Sequence, residues 1–263
     1  MKKLMILGGS RYALPVIEAA HELGVYVITC DYLPDNIAHK YSDEYCNVSI
    51  IDKEATLKAA KNLKIDGIMS FACDPGVVTA AYVAEEMGLP NVGPYESVCI
   101  LQNKKRFREF LTNNGFNVPV AKGYTDVKDA LKDVDLFNWP VIVKPTDSAG
   151  SKGVKKVEKP EDLESSIEYA LSYSHSHEFI IEDYLTQKGY SSDTDSFSID
   201  GDLKVVTFNC QRFDANAENP YTPSAYSWPS SMSAEHQEEL KNEIQRLFGL
   251  PFDKINVIPN GIN

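Results

Sequence analysis

Trp139-Pro-Val-Ile-Val-Lys144-Pro145, followed closely by Ser148-Ala-Gly-Ser-Lys-Gly153, is the stretch that decides the fold. The apolar run between two prolines predicts a strand, and Val154–Val157 predicts a second strand directly after the glycines. Strand, glycine loop and strand therefore form a hairpin-like flap. A purely structural hairpin usually has a short Asn-Gly or Asp-Gly turn, so this longer connection indicates a function.

The residue types of this hairpin suit a bound triphosphate. Lys144 on a rigid strand presents a fixed cation, and a glycine-rich flap lets backbone N–H groups approach phosphate oxygens. Lys152 inside the flap adds positive charge, although a flap lysine is commonly just solvated. The sequence therefore favours a nucleotide site over an empty hairpin.

Charged motifs lie on both sides of the hairpin. Asn103–Arg108 has four cations in five positions at the start of a predicted helix; a solvated helix face is the alternative reading. After the hairpin, the predicted strand Glu178–Asp183 ends in two acids and leads to Leu185. The backbone at such a strand end can pair with an adenine edge, and Glu182 can accept from the exocyclic amine. Capping carboxylates explain the same acids equally simply.

Strand and helix patterns alternate in the first third of the chain, which predicts a doubly wound parallel sheet with helices on both faces. The predicted strands are Leu4–Leu7, Val25–Cys30, Asn47–Ile51 and Gly67–Phe71. Farther along, an Asp200-Gly201 turn between two alternating stretches predicts an antiparallel end region, and Ala234–Phe248 predicts a final helix. The expected division is a Rossmann-like domain at 1–95, a helical linker at 96–118, an α+β lid subdomain at 119–185 and an antiparallel subdomain at 186–263.

The turn Gly8-Gly9-Ser10, with Asp31 at the end of the next strand, is similar to a dinucleotide-binding turn with its ribose-binding acid. Ala13 stands where the third glycine of that fingerprint would be. A nicotinamide-dependent oxidoreductase is therefore one hypothesis. An ordinary strand-to-helix turn is the simpler interpretation, because such turns favour glycine in any case.

Composition excludes several classes of protein. The 263 residues carry a formal net charge of −12, which would repel a nucleic-acid backbone. The five cysteines show no Cys-x-x-Cys spacing, which argues against a zinc knuckle and a disulfide framework. The start of the chain has neither a signal-peptide core nor a membrane span. We therefore expect a cytoplasmic protein with no nucleic-acid or membrane partner.

Taken in order, these motifs resemble the ATP-grasp superfamily, and most closely its carboxylate–amine ligase branch. The resemblance implies α+β subdomains that hold ATP between them after the first domain. It also implies that a carboxylate attacks the γ-phosphorus to give an acyl phosphate, which an amine then captures. The implied cofactors are ATP and Mg²⁺, and the implied partners are small-molecule carboxylate and amine substrates, with a homodimer as the oligomeric state considered.

The resemblance assigns roles to individual residues. Lys104 and Lys144 would meet the phosphates, while Asp183 and Leu185 would hold adenine through the backbone and Glu182 through its side chain. The flap that closes over the phosphates consists of Ser148, Ala149, Gly150, Ser151, Lys152 and Gly153. Lys144 is expected to be catalytic. Arg212 is expected to clamp a substrate carboxylate, with a surface ion pair as the alternative.

The sequence departs from the family pattern in two places. Asp195 matches a family aspartate, but Asp193 stands only as a substitute for the usual ribose-binding glutamate. The residues after Phe248 contain a single acid, Asp253, and no Glu-x-Asn pair, so the metal ligands are unknown and the last subdomain is expected to be incomplete. These departures favour a shortened ligase with impaired turnover, with a nucleotide-binding regulatory module as the alternative.

Overall fold

The protein is described by a computed structural model that covers residues 1–90, 93–199 and 202–248. The chain folds into two compact units, one built on Met1–Cys99 and the other on Ile100–Ser196 and Lys204–Gln245. The described residues within 197–203 and 246–248 group with the first unit. The four-part division expected from the sequence stays a prediction.

The first unit contains the parallel sheet that the sequence predicts. Its strands are β1 (Lys3–Leu7), β2 (Tyr26–Cys30), β3 (Glu44–Cys46) and β4 (Gly67–Ser70), in the spatial order β3-β2-β1-β4 with every pairing parallel. The helices are α1 (Leu14–Glu22), α2 (Lys53–Leu63) and α3 (Asp74–Met87), followed by α4 (Tyr95–Gln102).

The core of this unit lies on both faces of the sheet, because successive side chains of a strand point to opposite faces. Met5 and Ile28 pack on one face with Val83 of α3. Ile6 packs on the other face with Ile17 of α1. Met5, Ile6, Ile28 and Val83 are completely buried, and Ile17 is nearly so.

The strand predicted at Asn47–Ile51 is wrong. The third strand is the shorter segment Glu44–Cys46, which pairs with β2 through the register Ile28↔Glu44 to Cys30↔Cys46. Val48 N–H then donates to the Cys46 carbonyl at 3.1 Å, so the chain turns away from the sheet. Val48 and Ile50 are apolar because they pack on the core from this loop, and their pattern imitates that of a strand.

The second unit is built around an antiparallel sheet. Helix α5 (Lys104–Asn113) precedes β5 (Ala121–Tyr124), α6 (Val127–Lys132), β6 (Val141–Pro145), β7 (Lys155–Val157), α7 (Leu163–Leu171) and β8 (Phe179–Asp183). The spatial order is β5-β8-β6-β7. Val143 and Phe179 of the sheet pack with Leu163 and Ile167 of α7, and all four are completely buried.

Short strands and one helix complete the described chain. Strands β9 (Thr194–Ile199) and β10 (Asp202–Phe208) form a two-stranded sheet, and β11 (Cys210–Phe213) pairs antiparallel with β12 (Pro223–Ser227). Helix α8 spans Ala234–Phe248, as predicted. The predicted Asp200-Gly201 turn, Asp253 and the expected incompleteness after Phe248 all fall outside the described residues.

In the part of the chain that is described, every helix is too short or too polar to cross a bilayer.

Candidate functional site

The predicted flap connects two strands that pair directly. Val141 lies opposite Val157 and Val143 opposite Lys155 in the antiparallel pair of β6 and β7. The connection passes through left-handed backbone at Gly150 (φ +67°), and again at Gly153 (φ +73°). A Cβ on Gly153 would lie 3.0 Å from the Pro145 Cδ and 3.0 Å from the Tyr173 Cβ. Glycine is therefore required there for both conformation and space.

The flap is fastened by a second loop, Asn219-Pro-Tyr-Thr222, which we call the latch loop. The Ser151 hydroxyl donates to the Tyr221 carbonyl at 2.9 Å, and the Asn219 amide donates to the Ser151 carbonyl at 3.0 Å. The Thr222 hydroxyl also donates to the Gly150 carbonyl at 3.4 Å. No sequence motif marks this loop, because its partners lie about seventy positions away along the chain.

Lys104 lies at the base of the flap. The side chain of Asn103 accepts from the Arg106 N–H at 3.1 Å and so caps the start of α5. The Lys104 N–H donates to the Thr146 carbonyl at 3.0 Å, and its ammonium donates to the Ser148 carbonyl at 2.6 Å. The cap and these two bonds bring one predicted phosphate-binding lysine to the first residue of the flap.

Lys144 and Glu182 lie together on the face of the sheet opposite to the core. The register pairs Ile142 with Glu182, and alternation along β6 places Lys144 on the same face as Ile142. The Lys144 ammonium lies 2.5 Å from Oε2 of Glu182. Arg108 of α5 approaches from the other side, with its Nε 2.7 Å from Oε1. We call these three residues the charge cluster.

The charge cluster is largely shielded from solvent. Glu182 is only 5 % exposed. Burial by itself raises the pKa of the Glu182 carboxyl, but the charges of Lys144 and Arg108 and their hydrogen bonds outweigh it and hold the pKa below the usual range. Glu182 is therefore an anion with both oxygens already engaged. Arg108 was seen in the sequence only as one of several cations.

The end of β8 exposes backbone groups beside the cluster. The Asp183 carboxylate accepts hydrogen bonds from the backbone N–H and the side-chain amide of Asn138 at 2.9 and 2.7 Å. This is the capping role that the sequence offered as the alternative. The Asp183 N–H donates to the Val120 carbonyl at 2.9 Å. Leu185 is 67 % exposed, and its N–H makes no hydrogen bond within the described chain. The N–H of Leu185 and the carbonyl of Asp183 thus stay the predicted adenine contacts.

Three other predicted residues lie on the later strands and the segment before them. Asp193 is half-buried, and burial together with the nearby charge of Asp195 raises the pKa of its carboxyl. Asp195 is exposed. The Arg212 guanidinium lies 3.5 Å from the centre of the Tyr190 ring and donates to the Ser227 hydroxyl at 3.1 Å.

Two flap residues have side chains without a hydrogen bond to any described part of the chain. Lys152 is exposed and has no ion pair in the described ranges, and Ala149 is half-buried. The side chain of Lys152 is therefore positioned only by the flap backbone.

Asp31, the acid considered for a nicotinamide cofactor, has a structural role. Its Oδ2 accepts from the Gly9 N–H at 3.0 Å and from the Asn36 amide at 2.8 Å, and its Oδ1 accepts from the Leu33 N–H at 3.1 Å. It is 6 % exposed. The Asp31 carboxylate thus links the loop after β2 to the Gly8-Gly9-Ser10 turn. This role fits the interpretation of that motif as an ordinary strand-to-helix turn.

Within the described residues, no group of three or more histidine, cysteine, aspartate or glutamate side chains is arranged to hold a metal ion.

Comparisons with known proteins point to one family. A family model described as an ATP-grasp domain matches residues 101–251. A formate-dependent phosphoribosylglycinamide formyltransferase from Synechococcus sp. is 27% identical over 186 residues, which cover 70% of this chain and 48% of that protein. A carbamoyl phosphate synthase large chain from Pseudothermotoga lettingae is 25% identical over 259 residues, which cover 94% of this chain and 23% of that protein.

A solved structure shows the same fold over nearly the whole chain. It is the biotin carboxylase domain dimer of the Hydrogenobacter thermophilus 2-oxoglutarate carboxylase, in complex with MgADP, ADP and bicarbonate. The TM-score is 0.75 at 17% identity, and the match covers 93% of this chain and 57% of that one. The chain thus spans about half the length or less of the curated relatives named above. With the family model matched over more than half of its residues, the chain belongs to the ATP-grasp family.

Proposed function

We propose that this chain binds ATP in its second unit and takes part in a ligase reaction that joins a carboxylate to an amine. The observation that carries the proposal is the charge cluster, which holds Lys144 in a fixed place on the strand that leads into the glycine flap. Membership of the ATP-grasp family supports the same reading.

Each part of the proposed site has one task. Lys104 and Lys144 would neutralise phosphate oxygens, and the flap at 148–153 would offer backbone N–H groups to them. The Leu185 N–H and the Asp183 carbonyl would pair with the adenine edge, while Glu182 would orient Lys144. Phosphoryl transfer depends mainly on positioning and charge neutralisation, so this set needs no protein nucleophile.

The proposed reaction has two steps. A carboxylate oxygen attacks the γ-phosphorus of ATP, and ADP leaves, which gives an acyl phosphate. An amine nitrogen then attacks the acyl carbon, and inorganic phosphate leaves. Mg²⁺ would accompany ATP, as it accompanies ADP in the complex of the biotin carboxylase domain. The described residues offer no cluster that fits the ion, so neither step is assigned to it.

Arg212 is the residue proposed to hold the substrate carboxylate. Its guanidinium is oriented by the Tyr190 ring and the Ser227 hydroxyl, and a planar guanidinium can bind a carboxylate through two parallel hydrogen bonds. Asp193 and Asp195 stay proposed for the ribose hydroxyls. A cytoplasmic location and a homodimer are kept as expectations for the whole protein.

Calorimetric titration with a non-hydrolysable ATP analogue tests the site, with and without magnesium. We expect the parent chain to bind, and Lys144→Ala to weaken binding about tenfold or more, because a charge-assisted contact is lost. Lys132→Ala removes an exposed lysine paired only with Asp129, and it should bind like the parent. Equal binding by Lys144→Ala would refute the assignment.

Turnover is tested separately, by following ADP release with pairs of carboxylates and amines. Amide formation coupled to ADP release would support the ligase. Binding without ADP release for every pair would instead favour the nucleotide-binding regulatory module.

A further inference from the structure

Two cysteines of the first unit lie side by side at the carboxyl ends of two neighbouring strands of its sheet. Cys30 is the last residue of β2, Cys46 is the last residue of β3, and the two are direct partners in the parallel register. Neighbouring strands lie about 4.8 Å apart, and paired residues in register point to the same face. The Cys30 thiol also lies 3.6 Å from the Val48 carbonyl.

The two thiols differ in exposure and in acidity. Cys30 is completely buried, whereas Cys46 is half-buried. The proximity of the two thiols lowers the pKa of the Cys46 thiol below its ordinary value and, together with burial, raises the pKa of the Cys30 thiol. Thiolate is the reactive form, so Cys46 is the nucleophile of the pair and Cys30 is its protected neighbour.

We propose that Cys46 and Cys30 are a site of reversible oxidation, at which a peroxide converts the two thiols into a disulfide. The Cys46 thiolate attacks a peroxide oxygen, the O–O bond breaks, and hydroxide leaves, which gives a sulfenic acid. The Cys30 sulfur then gives up its proton and attacks the Cys46 sulfur. The S–O bond breaks and the second oxygen leaves as water, so two thiols are oxidised and one hydrogen peroxide is reduced to two waters.

The sheet geometry allows this bond. The strand spacing lies within the range of about 4.4–6.8 Å found between the Cα atoms of disulfides. Strand β3 has only three residues and is an edge strand, with β2 as its neighbour in the sheet. The Cys46 carbonyl accepts from the Asp31 N–H at 3.2 Å, so the bond would also fix the segment that holds the Gly9 turn.

The test is peptide mapping of the full chain after exposure to hydrogen peroxide. Free thiols are blocked with N-ethylmaleimide, and the digest is analysed by mass spectrometry without reduction. We expect one linked peptide pair that joins Cys30 to Cys46, lighter by two hydrogens than the separate peptides and separated by dithiothreitol. Cys99→Ser, a change at another half-buried cysteine, should leave this product unchanged.

Variants of the pair make the proposal falsifiable. Cys46→Ser should abolish the linked peptides, and Cys30→Ala should leave Cys46 as a sulfenic acid that dimedone captures. If Cys30→Ala does not fold, Cys46→Ser at the half-buried position carries the test, with its circular dichroism spectrum as the check on folding. A link between other cysteines, or Cys46 found intact or oxidised without a link, would overturn the proposal. None of these measurements involves a nucleotide.

Discussion

Glu182 is the one buried acid that holds two cations from different elements in the part of the chain that the structure describes. Lys144 belongs to β6 and Arg108 to α5, and each occupies one oxygen of the carboxylate. Removing one partner of a buried ion pair usually destabilises a protein strongly, because the remaining charge is left uncompensated. Here the loss of the carboxylate would leave two cations facing each other.

Glu182→Gln should therefore lower the free energy of unfolding by about 3–5 kcal/mol. The measurement is the denaturant midpoint and slope of the full chain. Glu158→Gln is the matched control, because it removes an exposed carboxylate that pairs with Lys156, and it should cost much less. An equal loss in both variants would show that the charge cluster contributes nothing special.

The pH dependence of stability should reveal the same carboxylate. Lys144 and Arg108 hold the pKa of folded Glu182 below the value of about 4.3 expected in an unfolded chain. The stabilisation from this depressed pKa is therefore present above about pH 4.3 and is lost as the pH falls through the folded pKa. Unfolding midpoints measured from neutral to acidic pH should fall more steeply for the parent chain than for Glu182→Gln. Parallel curves would contradict this.

A candidate site residue could be predicted from the sequence where it belongs to a local motif. Lys104 belongs to a cationic run and Lys144 lies on a strand between two prolines, so the sequence predicted both as phosphate contacts, which they stay. The partnership of Arg108 with Glu182 spans 74 positions and depends on how α5 packs against β8. No pattern in either segment contains that contact, so the sequence could not predict it. The adenine contact of Glu182 stays a prediction.

Helix α5 carries two residues of the candidate site, Lys104 and Arg108. Its cap, Asn103, fixes where the helix begins, and this sets the positions of Lys104 and Arg108 one turn apart. The N-cap of α2, Asp52, makes an equivalent bond to the Ala55 N–H at 3.0 Å. The two caps can therefore be compared directly.

Asn103→Ala and Asp52→Ala should each lower stability by about 1 kcal/mol. Only Asn103→Ala should also weaken binding of the ATP analogue, since only that helix carries proposed phosphate and cluster residues. Denaturant unfolding and calorimetric titration of both variants provide the two readouts. Weakened nucleotide binding in Asp52→Ala as well would show that the effect follows general stability.

The flap and its latch loop form a second element with a measurable property. Asn219→Ala removes the donor to the Ser151 carbonyl, so backbone amides at 149–153 should exchange hydrogen faster. Asn216→Ala, an exposed position in the same connection between β11 and β12, should leave their exchange unchanged. Mass spectrometry of exchanged peptides checks this. Unchanged exchange in Asn219→Ala would mean that the latch does not restrain the flap.

Most elements follow from patterns of apolar residues, and the exceptions have physical causes. Helices α2 and α5 each begin after a polar residue, Asp52 and Asn103, whose side chain caps the first turn, so the sequence marks where they start. The strand at Asn47–Ile51 was wrong because a loop can bury alternate apolar residues without pairing. Strands β11 and β12 contain one buried residue, Cys210, and their other residues are half-buried or exposed, so no periodic signal marks their ends.

At the scale of the whole molecule, the two units have separate cores. The first is centred on residues such as Met5 and Ile28, and the second on Val143 and Phe179. The parallel sheet of the first unit was predicted from alternating strands and helices. The order of its strands was not predicted, because it depends on packing between segments that are far apart in the sequence.

Nucleotide binding should therefore protect only one unit from hydrogen exchange. With the ATP analogue at a hundred times its dissociation constant, the bound state gains about 2.7 kcal/mol. We expect the added protection in peptides that contain Lys104, the flap at 148–153 and Leu185, and none in peptides of β1 and β2. Protection confined to β1, β2 and the Gly9 turn would transfer the site to the first unit and revive the nicotinamide hypothesis.

We expect the position of Glu182 to weaken the binding of small anions at the proposed site. Lys144 already pairs with an internal carboxylate, so an incoming anion would share the ammonium with Glu182. A chloride or an acetate ion brings only one charge, and it loses translational freedom when it binds, whereas the Glu182 carboxylate is already part of the chain. The net free energy of binding of such an ion is therefore small. A polyphosphate would bring several charges and contact Lys104 and the flap together. We therefore expect Glu182 to make the proposed site favour multiply charged ligands over single small anions.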